Sequence, residues 1–205
     1  MSAQTKNSTL PGDREKWLRF AVIISIILLT VSTALNLLLS RRVRQLSNVL
    51  GEIQSARRLD EGENAPLLEA KDLEGKTIAV TYSEIAQPTI LYVFTPECVW
   101  CARNLKNIKT LANETRGKYR LIGLSLSGEG LRNYIEKNEI NFPVYTDIPT
   151  SVQAAYRLGG TPQTIIVSSD GKIIQNWAGV YTEEVASEVE GYFGIHLPGI
   201  EESLP

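Results

Sequence analysis

The stretch TILYVFTPECVWC, residues 89–101, decides the fold. Residues 89–95 are aliphatic, aromatic or β-branched, follow Pro88, and read as a buried strand. Pro96 and Glu97 end that run. From Val99 the period changes: Ala102, Leu105, Ile108, Leu111 and Ala112 recur at three- and four-residue spacing, which predicts a helix over residues 99–115. Cys98 and Cys101 therefore sit where a strand turns into a helix. The first N–H groups of a helix have no intrahelical partner, and the helix dipole is positive at that end. Both effects favour a thiolate, so Cys98 is read as the attacking thiol and Cys101, one turn further on, as the thiol that resolves a mixed disulfide.

Other uses of two cysteines fit less well. A structural disulfide framework needs more cysteines, spread more widely. A metal half-site needs a second half. The one histidine, His196, lies far along the chain near Pro198, so four ligands at usual zinc spacing cannot be assembled. No metal and no cofactor are expected, and His196 is read as a surface residue of the tail. A neighbouring negative charge opposes thiolate formation, and Glu97 stands directly beside Cys98.

Outward from this centre the signals alternate. Strands are expected over residues 77–82, 119–126 and 142–145, and helices over 129–138 and 151–158. Residues 164–168 and 172–177 read as a hairpin around Ser169-Asp170-Gly171. A last helix over 182–193 opens on Thr182 with Glu183 and Glu184 in its first turn. The fold class is α/β: a mixed central sheet flanked by helices.

The N-terminal part differs in kind. Residues 20–39 form an uncharged, largely apolar run of twenty, long enough as a helix to span a hydrocarbon core of about 30 Å. Trp17 marks its near edge, and Arg41, Arg42 and Arg44 end it. A cleaved signal peptide would have a shorter apolar stretch and a small-residue cleavage site, so an uncleaved transmembrane anchor is expected. The expected organisation is a polar tail over 1–19, the anchor over 20–39, a stalk and linker over 40–64, the catalytic domain over 65–194 and a tail over 195–205. Residues 1–16 are expected to be unstructured. Val43, Leu46, Val49, Leu50 and Ile53 give the stalk an amphipathic helical pattern. Residues 1–59 carry nine Lys or Arg against three Asp or Glu, and residues 60–205 carry twelve against twenty. A basic membrane flank and an acidic body argue against nucleic acid as a partner. The basic residues on the two sides of the anchor nearly balance, so charge alone does not orient it.

A second element, GGTPQTIIV over residues 159–167, follows the cysteine pair by some sixty residues. Here the sequence resembles the thioredoxin superfamily, and within it the membrane-tethered TlpA/ResA-like branch. The resemblance rests on ILYVF, TPECVWC, GGTPQTIIV, the DGKIIQNWAGV hairpin and the last helix, in that order, and covers about residues 65–193. It implies a thioredoxin-like domain in which Thr161–Pro162 is a cis bond beside the active pair. The Thr161 backbone would pair with an extended client segment, with Trp100 also contacting the client. It further implies clients with cysteine pairs or disulfides, a transmembrane electron donor, and a domain on the periplasmic side of a bacterial inner membrane. The chain departs from the family pattern in three places. Glu97 stands where many relatives have Trp, Trp100 lies between the cysteines, and Tyr92 replaces the buried Asp of thioredoxins. Glu97 and Glu84 are the candidates for a proton acceptor, although each also reads as an exposed surface residue.

Three functions are weighed. The first is a membrane-anchored thiol–disulfide oxidoreductase, a reductant of specific clients in maturation of cytochrome c or other metalloproteins. The second is a peroxiredoxin-type peroxidase, suggested by Thr95 three residues before Cys98; Leu91 stands where that family has Pro. The third is a membrane-held binding module with an inert disulfide.

Overall fold

A computed structural model describes residues 11–55, 58–84 and 86–200, with side chains of the N-terminal helix described over 16–43. The chain divides into two units, residues 1–56 and 57–205.

The first unit contains α1 (Pro11–Ser55), a helix of 45 residues. Pro11 to Lys16 are already helical, where an unstructured tail was expected: Pro fits the first turn of a helix, where its missing N–H leaves no bond unmade. The helix runs unbroken through the apolar run and the basic cluster behind it. Within it, Lys16–Val43 is long and apolar enough to cross a membrane, with every side chain exposed. Its polar residues are satisfied locally: the Ser25, Thr33 and Ser40 hydroxyls and the Asn36 amide each donate to the carbonyl four residues back. Such back-bonding lets hydroxyls and amides sit in an apolar helix. The stalk side chains Leu46, Val49, Leu50 and Ile53 lie outside the described ones.

Among the described residues of the second unit, seven strands and four helices follow: β1 (Leu68–Lys71), β2 (Thr77–Val80), β3 (Thr89–Phe94), α2 (Val99–Glu114), β4 (Arg120–Ser125), α3 (Leu131–Lys137), β5 (Val144–Tyr145), α4 (Thr150–Ala155), β6 (Gln163–Val167), β7 (Ile173–Ala178) and α5 (Glu183–Phe193). The main sheet has the order β5-β4-β3-β6-β7. β3, β4 and β5 are parallel, and β6 and β7 run antiparallel to their neighbours. This is the mixed sheet expected. β1 and β2 form a hairpin of their own, with β1 unforeseen because LEAK carries two charges in four residues.

β3 is the centre, and all six of its residues are buried. Side chains alternate across a strand. Leu91 and Val93 therefore join Ile122, Leu124, Ile165 and the β1–β2 hairpin on one face. Ile90, Tyr92 and Phe94 face the other way, toward Cys101, Ile108 and Leu111 of α2 and Val189 of α5. Gly171 closes the β6–β7 turn and Gly194 ends α5, both at positive φ, where a side chain would be strained.

Two stretches read as linker and tail are fastened to the second unit. Leu59 is buried, and residues 58–65 run along the outer side of β7. Gly62 N–H donates to Ile173 O at 2.8 Å, Ile173 N–H to Glu63 O at 2.9 Å, and Arg58 to Asn176 O at 3.1 Å. Arg157 holds the same stretch through the Arg58 carbonyl at 2.7 Å and Glu63 at 3.3 Å. The opposite edge, β5, is extended by paired bonds between Thr146 and Lys71 of 2.7 and 2.8 Å. Beyond α5, Leu197 is buried and Gly199 N–H donates to Asn107 of α2 at 3.0 Å.

Candidate active site

Cys98 is the N-cap of α2, with extended backbone at φ −74° and ψ 109°. An N-cap side chain ordinarily offers an oxygen to the free N–H groups of the first turn. Here sulfur takes that place, and the Cys101 N–H donates to Cys98 Sγ over 3.1 Å. Cys98 is thus positioned by the helix it begins. Its N–H donates to Thr95 O at 3.2 Å, which fixes the turn out of β3. Cys98 and Cys101 form a disulfide with Cα atoms 5.1 Å apart. The two sulfurs differ in access: Cys98 is half-buried, whereas Cys101 is 0% exposed against the α2 face of the sheet. An attacking thiol needs a path to its client, and a resolving thiol needs only to reach its neighbour.

Thr161–Pro162 is cis, as the resemblance implied. The Thr161 carbonyl oxygen lies 3.5 Å from Cys98 Sγ, across sixty-three positions of sequence. Pro162 is buried, and its carbonyl accepts from Gly179 N–H at 2.8 Å. Gly159 and Gly160 ahead of it are exposed. Val99 and Trp100 are 51% and 52% exposed, so the rim of the disulfide is apolar and open. The Arg103 guanidinium lies over the Trp100 ring, 5.0 Å from its centroid. Cys98, Cys101, Trp100, Thr161 and Pro162, all singled out from sequence, are thereby brought together at one end of the sheet.

The carboxylate candidates are not beneath the pair. Glu97 is exposed. Glu84 accepts from Thr81 at 3.1 Å, and Thr81 is linked through Arg120 to Thr89, at the end of β3 opposite the cysteines. His196 is exposed and pairs with Glu190 at 2.9 Å. Asn104 and Asn107 of α2, with Thr164 and Tyr181, are buried groups that the sequence reading did not single out; Asn104 accepts from Tyr181 N–H at 3.2 Å and from Asn107 at 3.0 Å. Two asparagines on the apolar stripe of a predicted helix were the available signal. The Tyr92 phenol is held well above its ordinary pKa by burial first and by neighbouring Tyr134 and Tyr181 second.

A CxxC disulfide at the head of the first helix after the central strand, on a thioredoxin fold, defines a thiol–disulfide oxidoreductase. The chain belongs to the AhpC/TSA family, whose model matches residues 62–176. It is similar to the thiol-disulfide oxidoreductase ResA of Bacillus cereus, 26% identical over 138 residues that cover 64% of this chain and 75% of the relative. ResA of Bacillus subtilis is 25% identical over 148 residues, covering 69% and 78%. Among solved structures, the thioredoxin domain of a thiol-disulfide oxidoreductase from Bacteroides vulgatus matches with a TM-score of 0.54 at 20% identity, over 66% of this chain and 99% of that one.

Proposed function

We propose that this protein is a membrane-anchored reductant of client disulfides, acting on the extracytoplasmic side of a bacterial inner membrane. The observation that carries the reading is the asymmetry of the pair: an accessible Cys98 sulfur at a helix start, and a sealed Cys101 one turn behind it.

In the reduced protein the Cys98 thiolate attacks one sulfur of a client disulfide. A Cys98–client bond forms, and the client's other sulfur leaves with the electron pair and takes a proton. Cys101 then attacks Cys98 Sγ, the Cys98–Cys101 bond forms, and the client's second sulfur leaves as a thiol. The client is reduced by two electrons and the pair is oxidised. The backbone around Thr161 and the exposed Trp100 are the surfaces against which an extended client segment would lie. The reducing direction follows from the neighbours of Cys98. Val99 and Trp100 place no cation between the cysteines and Glu97 adds a negative charge, so the thiolate lacks the stabilisation that makes a strong oxidant. A membrane partner passing electrons across the bilayer would re-reduce the pair, which accounts for an anchor of the length of α1. Cysteine pairs of maturing cytochrome c or other metalloproteins are the client class the ResA-like resemblance supports.

The test is equilibration of the full-length protein in detergent with dithiothreitol or glutathione buffers. The expected potential is nearer thioredoxin's value of about −270 mV than the DsbA value of about −120 mV. A value above about −150 mV would make the protein an oxidase instead. Turnover of hydrogen peroxide in the same preparation would favour the peroxidase alternative. An extracytoplasmic reporter fused after Phe193 should be active; activity only from a cytoplasmic reporter would reverse the topology.

A further inference from the structure

Two successive carbonyls of the strap formed by residues 58–63 accept from side chains that lead to opposite ends of one loop. The Arg58 carbonyl accepts from the Arg157 guanidinium at 2.7 Å, and the Leu59 carbonyl accepts from the Asn176 amide at 3.0 Å. Arg157 stands immediately ahead of the loop Leu158–Pro162. Asn176 reaches its other end: the Asn176 Oδ1 accepts from Gln163 Nε2 at 2.8 Å, and Gln163 directly follows the cis proline. Arg157 also reaches Glu63 at 3.3 Å, and Arg58 donates to the Asn176 carbonyl at 3.1 Å. The frame is an interior one, with Leu59 and Gln163 both buried.

Between these ends the loop has little of its own to hold it. Among the described residues Gly159 and Gly160 make no backbone hydrogen bond, and a Cβ at either would meet nothing within 4 Å. The backbone bonds that fasten the loop lie at its ends, from Leu158 N–H to Gln153 O at 2.9 Å and from Gly179 N–H to Pro162 O at 2.8 Å. Two successive glycines have wide backbone freedom, so the place of Thr161 beside Cys98 depends on how firmly those ends are held. Arg157 carries a second sign. Its φ is 53°, in the left-handed region that a residue with a Cβ adopts at a cost and glycine adopts freely. An arginine stands there nonetheless, and its guanidinium is engaged with the strap.

We propose that residues 58–63 clamp the loop Leu158–Pro162 from both ends, with Arg157 and Asn176 as positioning residues for the binding of an extended client segment. A client strand pairs with the Thr161 backbone most favourably when that backbone is already fixed. With either end released, the client must order the loop as it binds. Binding weakens, and the chemistry of Cys98 and Cys101 stays as it was. A small disulfide, which meets Cys98 without lying along the loop, does not sense the clamp. The strap is the first described stretch after α1 in the chain, so residues that follow the apolar helix in sequence frame the client site.

This inference rests on the exchange function proposed above, and the test separates the two. Reduced full-length protein in detergent is mixed with an excess of either an extended peptide disulfide or a small aromatic disulfide. Loss of the Cys98 and Cys101 thiols is timed by alkylation and gel shift. Arg157→Gly removes both bonds to the strap and suits the left-handed backbone, so its thermal midpoint should stay near wild type. The peptide concentration giving half the limiting rate should rise about tenfold, the effect of leaving about one residue of backbone for the client to order. The limiting rate, and the rate with the small disulfide, should match wild type. Asn176→Ala frees the other end of the loop and should raise the half-saturating peptide concentration in the same way. A wild-type half-saturation in either variant, or equal slowing with both disulfides, would overturn the clamp. A thermal midpoint of Arg157→Gly that falls along with peptide binding would overturn it too, leaving Arg157 a structural residue only. Failure of the wild-type protein to lose its thiols to either disulfide would overturn the exchange function itself.

Discussion

The backbone N–H of Cys101 donates to the sulfur of Cys98 over 3.1 Å, so the helix that carries the resolving cysteine also holds the attacking one. In the mechanism proposed above, Cys98 attacks first and Cys101 resolves. Cys101→Ser should leave Cys98 able to attack and unable to be released, and mixed disulfides with clients should accumulate. Cys98→Ser should accumulate few, because Cys101 is sealed from solvent. Non-reducing electrophoresis of membranes from cells expressing each variant reads the difference, and trapping through Cys101 alone would reverse the assignment.

Trp100 is half exposed and stacked under Arg103. Its contribution to folding is therefore small, about 0.5–1 kcal/mol for an exposed cation–π pair. Its apolar face is available to a client instead. Trp100→Ala should raise KM for a peptide disulfide about fivefold, the effect of about 1 kcal/mol of lost contact, with kcat little changed. Steady-state kinetics over a range of peptide concentrations checks the split between KM and kcat.

Tyr156 gives its one proton to the Pro66 carbonyl at 2.6 Å, so in the Tyr82–Tyr156 hydroxyl pair, also 2.6 Å, Tyr82 must be the donor. Tyr156→Phe removes both bonds and leaves the buried Tyr82 hydroxyl without an acceptor. The expected loss is about 1–3 kcal/mol by denaturant titration. Tyr82→Phe in the Tyr156→Phe background should recover part of it, since a group left unpaired is worse than one removed.

Burial raises the phenol of Tyr82 from 10.0 to about 12, and burial likewise raises Tyr134 to about 12. Unfolded tyrosines lose their protons first, so above pH 10 the unfolded chain binds fewer protons than the folded one and stability falls with rising pH. The contribution is intact below about pH 10 and lost through about pH 12. Thermal midpoints measured across that window should decline, with phenolate absorbance appearing together with unfolding. A flat midpoint would show that these phenols ionise without unfolding the protein.

The sequence was most legible where one pattern gave way to another. The period changes from a continuous apolar run to three-and-four spacing around Cys98, and that change placed the strand, the turn and the helix start together. The GGTP segment was legible only through resemblance, because the 3.5 Å approach of Thr161 to Cys98 joins residues far apart in the chain. Two kinds of feature were hidden. Residues 58–65 carry loop-like composition, and their attachment to β7 is made by backbone groups that every residue has. Asn104 and Asn107 look like flaws in an amphipathic helix until Tyr181 and Gly199, from the far end of the chain, supply their partners.

The attachment of residues 58–65 to β7 has a practical consequence for any soluble fragment. A sheet edge with free N–H and C=O groups is a template for another chain's strand. In this fold β5 is only two residues long and is continued by Lys71, while β7 is covered by the stretch from Arg58 to Ala65. A fragment begun at the domain start expected from sequence, residue 65, would bare Ile173 and Asn176 and should self-associate as its concentration rises. One begun at Arg57 would keep the cover and remain monomeric, so the boundary for cutting away the anchor lies ahead of Arg58.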